Sequence, residues 1–314
     1  MKKLNIDFYG KRKIFFSISA VLFAIIAAVA IFAGVLLDIS FKGGTIISYE
    51  YDTSIDLDEL QKTVEDTIGE SVFIQTKKGL NGQDTFDISL ANDEGLNADK
   101  QSELAKKLED KYGDKIAAGE SKSVDATIGN EFFQKSLLAI AFAALLLIIY
   151  VAIRFRKIGG WSAGVTGVAA LAHDVIIVFG TFVILRIPLD YNFIAVVLTI
   201  LGYSINDTIV IYDRVRENEH IYGKSMPIAQ LVNNSINETL GRTINTSIAT
   251  FISMAVVSIV AMIMGVQSIL NFSVPMAIGM ISGTYSTIFI AGPLWVMWQQ
   301  FKEKRSKNKG KAKK

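Results

Sequence analysis

The sequence predicts an α-helical polytopic membrane protein with six transmembrane helices and one small α+β extracytoplasmic domain between the first and second. Three observations carry this prediction. Hydrophobic residues make up 51% of the 314 residues and the mean hydropathy is +0.37, which is too apolar for a soluble chain of this length. Six stretches approach or exceed the roughly 20 apolar residues that a helix needs to cross hydrocarbon. The charge is also partitioned: residues 38–133 hold 21 of the 30 acids but only 10 of the 32 bases, a local balance of −11 in a chain whose net charge is +2. With no cysteine, neither a disulfide framework nor a thiolate metal site is available.

The six stretches are Ile14–Leu37, Ser136–Ile153, Trp161–Leu185, Phe193–Ile211, Ile244–Met264 and Phe272–Trp298, the last long enough to tilt or to extend past the lipid. The first has an apolar core of about 24 residues, longer than the 7–15 of a signal peptide, and reads as an uncleaved span. Basic residues in short loops mark the cytoplasmic face. They cluster before the first span (Lys2, Lys3, Lys11, Arg12, Lys13), after the second (Arg154, Arg156, Lys157), after the fourth (Arg214, Arg216, Lys224, Arg242) and in the tail 302–314. All four clusters share one face if the spans alternate, so both termini are expected in the cytoplasm. The loops on the opposite face hold only Arg186 and Asp190, or no charge at all.

This divides the chain into an N-terminus and first helix (1–37), an external domain (38–133), a five-helix bundle (134–301) with a cytoplasmic amphipathic loop (214–242), and a basic tail (302–314). Within 38–133, Thr45–Tyr51 is rich in β-formers. Leu57, Leu60, Val64 and Ile68 recur at helical spacing, with Asp56 as a cap. Val72–Thr76 and Thr85–Leu90 read as strands joined through the turn residues Gly79–Gly82. Asp99–Tyr112 is a second helix and Ser121–Ile128 a last strand. The order β-α-β-β-α-β is that of a ferredoxin-like domain; another α+β sandwich is the alternative. Its carboxylates are scattered and form no catalytic constellation. In the loop before the fifth span, Ile228, Leu231, Val232, Ile236 and Leu240 make one stripe, as expected of an amphipathic helix on the inner membrane face. Gly160 and Gly164, and Gly279 and Gly283, are spaced for close helix packing. The tail reads as a disordered basic segment near anionic lipid.

The chemistry is expected inside the membrane. A carboxylate at bilayer depth costs roughly 2.5–3.5 kcal/mol or more, yet Asp174 and Asp207 interrupt apolar runs, with His173 beside the first. Asp174 lies about 13 residues into its span, roughly 20 Å from the cytoplasmic entry, whereas Asp207 lies roughly 6–10 Å from that boundary. Ser204, Asn206 and Thr208 surround Asp207, and Arg242, Asn245 and Thr246 open the fifth span as a cation and polar ladder that could face it. The bland alternatives are an interhelical hydrogen bond for a neutral Asp207 and a packing role for His173. No Walker loop, HExxH or GxSxG is present, so direct nucleotide use and hydrolysis are not expected, and no cofactor, metal or nucleic acid is called for.

The run Tyr203–Asn218, reading YSINDTIVIYDRVREN, resembles the signature of the SecD/SecF family, on its SecF side, within the resistance-nodulation-division superfamily. Asp38–Thr45 resembles the segment after that family's first span, and Gly43, Gly44 and Thr45 belong to it. Ala172–Val175, Arg242–Ser247 and Gly283–Ala291 resemble its third, fifth and last spans. The likeness covers nearly the whole chain and is loose only in the external domain and tail. It implies an auxiliary subunit without hydrolytic activity, resident in the bacterial cytoplasmic membrane. SecD, the SecYEG channel, YajC, membrane lipids and the translocating preprotein are the implied partners, and the proton gradient is the implied energy source. It places the essential carboxylate on Asp207 and the essential arginine on Arg242, with Asp174 and His173 in a further motif on the proton pathway. A small-molecule exporter of the same superfamily and a scaffold that carries no protons are the competing readings.

Overall fold

The computed structural model describes residues 6–51, 55–69, 72–77, 84–90, 98–124 and 126–311. Its elements follow in the order α1 (Arg12–Phe32), α2 (Ile39–Lys42), β1 (Gly44–Tyr51), α3 (Leu57–Ile68), β2 (Phe73–Lys77), β3 (Asp84–Leu90), α4 (Ala98–Tyr112), β4 (Ile116–Val124), α5 (Ala126–Arg154), α6 (Gly160–Ile184), α7 (Tyr191–Tyr222), α8 (Ile228–Ile263), α9 (Gln267–Ser286) and α10 (Gly292–Lys311). A π-helical turn, Thr287–Ala291, joins α9 to α10. Among the described residues six helical segments are long and apolar enough to cross a membrane: α1, α5, α6, α7, α8 and the continuous α9–α10.

The domain between the first two spans, expected to be external, is a four-stranded sheet in the order β2-β3-β1-β4, with every neighbouring pair antiparallel. Two β-α-β units are thus interleaved in one sheet. Ile47 and Tyr49 on β1 alternate to the same face as Phe86, Ile88 and Leu90 on β3. Leu60, Val64 and Ile68 of α3 and Leu104 and Leu108 of α4 cover that face and complete the core. The last strand differs from expectation. It starts at Ile116, pairs with Tyr51 there, and ends at Val124, so Ile128 belongs to α5. The expected turn at Gly79–Gly82 lies outside the described residues.

The segment after α1 forms a short connector. Asp38 caps α2, its Oδ1 accepting from Ser40 N (2.9 Å) and Ser40 Oγ (2.6 Å). Gly43 (φ 77°) and Gly44 (φ 130°) then turn the chain into β1, in conformations that favour glycine. A Cβ on Gly129 of α5 would stand 2.8 Å from Gly43 N, so α5 rests on this connector. Asp38 N also donates to Leu189 O (3.0 Å) and Leu189 N to Leu36 O (2.9 Å), which stitches the connector to the α6–α7 loop. In that loop Arg186, at φ 56°, donates to the carbonyls of Ala33 and Gly34 (2.7 and 3.0 Å) and satisfies backbone acceptors left over at the end of α1. Asp190 caps α7. Burial lifts its carboxyl above the usual carboxylate range.

In the bundle, α6, α7 and α9 carry most of the buried residues and α1, α5 and α8 form the rim. The small-residue spacings do bring backbones together. A Cβ at Gly160 would collide with the Ala152 carbonyl, and one at Gly164 would stand 2.8 Å from Ile148 O, so α6 lies directly on α5. Gly279 and Gly283 admit Ile200 and Ser204 of α7.

Two expectations about the cytoplasmic side are corrected. The stripe Leu231, Val232, Ile236 and Leu240 is buried, but it does not form a separate helix lying on the membrane. It is the first third of the unbroken α8, packed against Gly292 at the head of α10 and strapped by the N-terminal segment. There Asn237 pairs with both backbone groups of Ile6 (3.0 and 2.9 Å), Asn233 accepts from Tyr9 N (3.0 Å), and Phe8 inserts into the core. The tail likewise continues α10 as helix to Lys311 rather than lacking structure.

Candidate functional site

Asp174 is the centre of the intramembrane polar network. It is 0% exposed and stands in mid-α6, where Ser204 Oγ of α7 (2.8 Å) and Ser286 Oγ of α9 (2.7 Å) donate to its Oδ2. Ser282 Oγ of α9 donates to Oδ1 (2.7 Å), and His173 Nδ1 lies 3.3 Å from the same oxygen. Ser282 and Ser286 are four residues apart, one helical turn, so both reach the same carboxylate. Three helices are thereby pinned on one acid. Burying a carboxylate without partners would cost many kcal/mol; here both oxygens are satisfied by hydroxyls.

The network continues from His173. Its Nε2 lies 3.1 Å from Ser19 Oγ on α1, Ser19 Oγ lies 3.2 Å from Tyr285 OH, and Tyr285 OH donates to Phe15 O (2.7 Å). The imidazole stacks on Tyr285 (5.6 Å between centroids) and tilts against Phe23 (5.2 Å). Below Ser204, Thr208 Oγ1 and Thr287 Oγ1 are 3.0 Å apart, which ties α7 to the π-helical turn. Such turns recur at functional sites because the widened ring displaces the side chains that follow.

Asp207 occupies a different environment. It is 3% exposed, and its Oδ2 is buried without a hydrogen-bond partner. Arg242 of α8 acts on it electrostatically, but the guanidinium is on the exposed side of α8 and makes no hydrogen bond to it among the described residues. Ser204 and Asp207 are three residues apart on one face of α7, so Asp207 stands only about 4.5 Å along the axis from the level of Asp174's cage. The two acids are therefore closer in depth than the lengths of their spans suggested.

The other expected site residues divide sharply. Ser204 and Thr208 line the network as expected. Asn206 and Asn245 do not: both are exposed, because one residue of α-helix turns a side chain about 100° away from its neighbour's face. Thr246 is half-buried, and its hydroxyl bonds back to Arg242 O (2.9 Å). Gly43, Gly44 and Thr45 build the connector and β1 and take no part in the intramembrane site. The residues that sequence reasoning missed are Ser19, Ser282, Tyr285 and Ser286; Thr243 belongs to the polar ladder expected at the start of the fifth span. Thr243 is buried, and its hydroxyl, like Asp207 Oδ2, has no partner. The signal for Ser282 and Ser286 was their spacing of four within an apolar run; for lone Ser19 there was none.

The bundle thus holds one caged acid, one acid with an unpartnered oxygen and one imidazole. Residues 104–301 match the family described as protein export membrane protein SecD/SecF, C-terminal. A protein translocase subunit SecF from Petrotoga mobilis is 34% identical over 310 residues, 96% of this chain and 99% of that protein. A protein translocase subunit SecDF from Bacillus subtilis is 33% identical over 297 residues, 93% of this chain but 38% of the longer protein. The crystal structure of SecDF from Thermus thermophilus, described as a translocon-associated membrane protein, superposes with a TM-score of 0.79 at 29% identity, covering 95% of this chain and 39% of that one. The chain thus spans about two fifths of the SecDF proteins it matches and nearly the full length of the SecF relative. It is a multi-pass membrane protein that belongs to the SecD/SecF family of protein export membrane proteins.

Proposed function

We propose that this chain is the SecF-type half of an accessory complex of the Sec translocase, which pairs with SecD and uses the proton-motive force to promote preprotein export through SecYEG. The SecDF relative, about two fifths of which aligns with this chain, supports a SecD-type half as the partner. YajC, membrane lipids and the translocating preprotein complete the proposed set. The distribution of basic loops supports the cytoplasmic membrane with both termini inside.

The observation that carries the proton reading is Asp207: a buried carboxyl with an unpartnered oxygen, close in depth to a second buried acid and under the influence of Arg242. An acid left without a donor has somewhere to put a proton. In the proposed cycle Asp207 takes and releases the proton, and Arg242 sets the energy of its charged form. The Asp174–His173 pair communicates the change to the bundle. Protonation weakens the attraction to the cation and so biases a two-state packing of helices. One charge crossing 100 mV releases about 2.3 kcal/mol, so many cycles would accompany one exported chain. The energy source is the gradient, with no hydrolysis by this subunit.

The test is gradient-dependent export in inverted vesicles. Asp207→Asn keeps the shape and removes the titration, and it is expected to abolish the gradient-dependent part while assembly with SecD persists. Unchanged export would refute the role of Asp207; loss of assembly together with export would favour the scaffold reading.

A further inference from the structure

α1 is a rim helix with only two buried residues, Ser19 and Ile26. Ile26 packs where Gly180 of α6 leaves room. Ser19 is the one polar side chain by which this helix reaches the interior, and it reaches His173 (3.1 Å) and Tyr285 (3.2 Å). At its outer end α1 leads through the connector into β1, an inner strand of the external sheet.

We infer that Ser19 is a proton-sensitive joint: the hydrogen bond between Ser19 and His173 reverses when the His173–Asp174 pair gains a proton, and α1 carries that change toward the external domain. The inference rests on the proposed proton-driven function and deepens it by naming a positioning residue.

The donor and acceptor inventory fixes the two states. With Asp174 ionised and His173 neutral, Nδ1 carries the hydrogen and donates to Asp174 Oδ1, while Nε2 is bare and accepts from the Ser19 hydroxyl. One added proton has two destinations. On the imidazole, it gives a cation with a hydrogen on both nitrogens. On the carboxyl, it makes Asp174 a donor to Nδ1, and the ring hydrogen moves to Nε2. In both cases Nε2 becomes a donor and Ser19 Oγ its acceptor. The Ser19 hydrogen then turns to Tyr285 OH, whose own hydrogen stays on Phe15 O (2.7 Å). In each state every hydrogen has an acceptor, so neither leaves an orphaned donor; the Ser19–Tyr285 contact carries a hydrogen only in the second. When the proton sits on the imidazole, the bond to Ser19 is charge-assisted and tighter, which draws α1 toward α6.

The surroundings contain few competing charges. α1 presents Ser19 and Phe23, and α7 presents Ser204 with Asp207 a turn away. α9 presents Ser282, Tyr285 and Ser286. The titratable groups among these are Tyr285 and Asp207, and the charged group beyond them is Arg242 on α8; α5 has no charged residue between Lys135 and Arg154.

The chain has two histidines and no cysteine, which suits a direct test on the full chain in lipid nanodiscs. In a His220→Gln background, nitrogen-15 resonances of labelled histidine report which ring nitrogen of His173 carries hydrogen. Spin labels at Lys62→Cys and Gln267→Cys report the distance between α3 and the start of α9. Between an alkaline and an acidic sample, Nε2 is expected to change from bare to protonated as the pair gains its proton, and the label distance to shift with it. Ser19→Ala should abolish the distance shift while the nitrogen change persists, and Ser19→Thr should restore it. Tyr285→Phe, which removes the second acceptor, should also abolish it and serves if Ser19→Ala does not fold. A distance shift of wild-type size in Ser19→Ala or Tyr285→Phe, or an Nε2-protonated ring at the alkaline end, overturns the joint. Nitrogen resonances that never change overturn the proton reading of the pair itself, whatever Ser19 does.

Discussion

The cage around Asp174 makes a quantitative demand on Ser204 and Ser286. Both hydroxyls donate to Oδ2, at 2.8 and 2.7 Å, and no other donor among the described residues reaches that oxygen. Interhelical hydrogen bonds in membranes are worth about 0.6 kcal/mol on average and about 1.7 at most, whereas bonds to charged groups in proteins are worth about 1.5–3 kcal/mol. Ser204→Ala is therefore expected to destabilise the bundle by about 1–2 kcal/mol. Ser286→Ala should cost less, because its hydroxyl is shared with Gly283 O at 3.2 Å. Each single variant leaves Oδ2 one donor. The double variant leaves it none, so its cost should exceed the sum of the singles by about 0.5 kcal/mol or more. Reversible unfolding of the purified chain in mixed micelles, followed by tryptophan fluorescence at neutral pH, measures all three. Strict additivity, or single effects below about 0.3 kcal/mol, would refute the idea that Asp174 is held jointly by these hydroxyls.

Four further outcomes follow from the packing, the strap and the cap of α7. Gly160→Ala should destabilise by about 1–3 kcal/mol, because the new methyl meets the Ala152 carbonyl. Gly202→Ala, where a Cβ meets nothing within 4 Å, should be neutral or gain up to about 1 kcal/mol; the same unfolding assay ranks the two. Asp7 accepts from Gly10 N (2.8 Å) and Asn233 Nδ2 (2.6 Å). These bonds, with Lys11 and Arg12 nearby, hold its carboxyl below the usual carboxylate range. A depressed acid stabilises the fold above its unfolded value and stops doing so as pH falls through its folded one. The protection of amides 6–10, taken relative to their intrinsic exchange rates, should therefore hold at neutral pH and fall only in strong acid. Asp190→Ala removes the cap of α7, which accepts from Asn192 N (2.9 Å), and should cost about 1 kcal/mol in the micelle assay.

Much of the fold was legible because it rests on lengths and periods. Apolar runs announce spans whatever packs against them, and alternating β-formers announced three of the four strands. The start of β4 was hidden because Ile116–Gly119 is IAAG, with one β-former. Its strand character comes from pairing with β1, a partner far away in sequence. α5 begins ten residues before its apolar run for a similar reason: Gly129 and Ser136 are buried against other elements, a tertiary fact without a local hydropathy signal. In the site, acids inside apolar runs stand out because charge there is costly, so Asp174, His173 and Asp207 were found. Serines are cheap in a membrane helix and carry no such signal, so the hydroxyls that satisfy Asp174 were missed. Asn206 and Asn245 were misjudged because polarity alone says nothing about helical phase, and both turn to the outer side of this chain.

The sheet order has a mechanical consequence for the external domain. The polypeptide enters it along β1 and leaves along β4, and these strands are neighbours, with Gly44 opposite Val124 at their membrane-side ends. The lobe therefore hangs from two adjacent cords rather than being spanned between distant posts. Because the β1–β4 ladder ties the cords to each other, a pull on both together would carry the whole lobe as one weight, whereas a pull on one alone would load that ladder in shear.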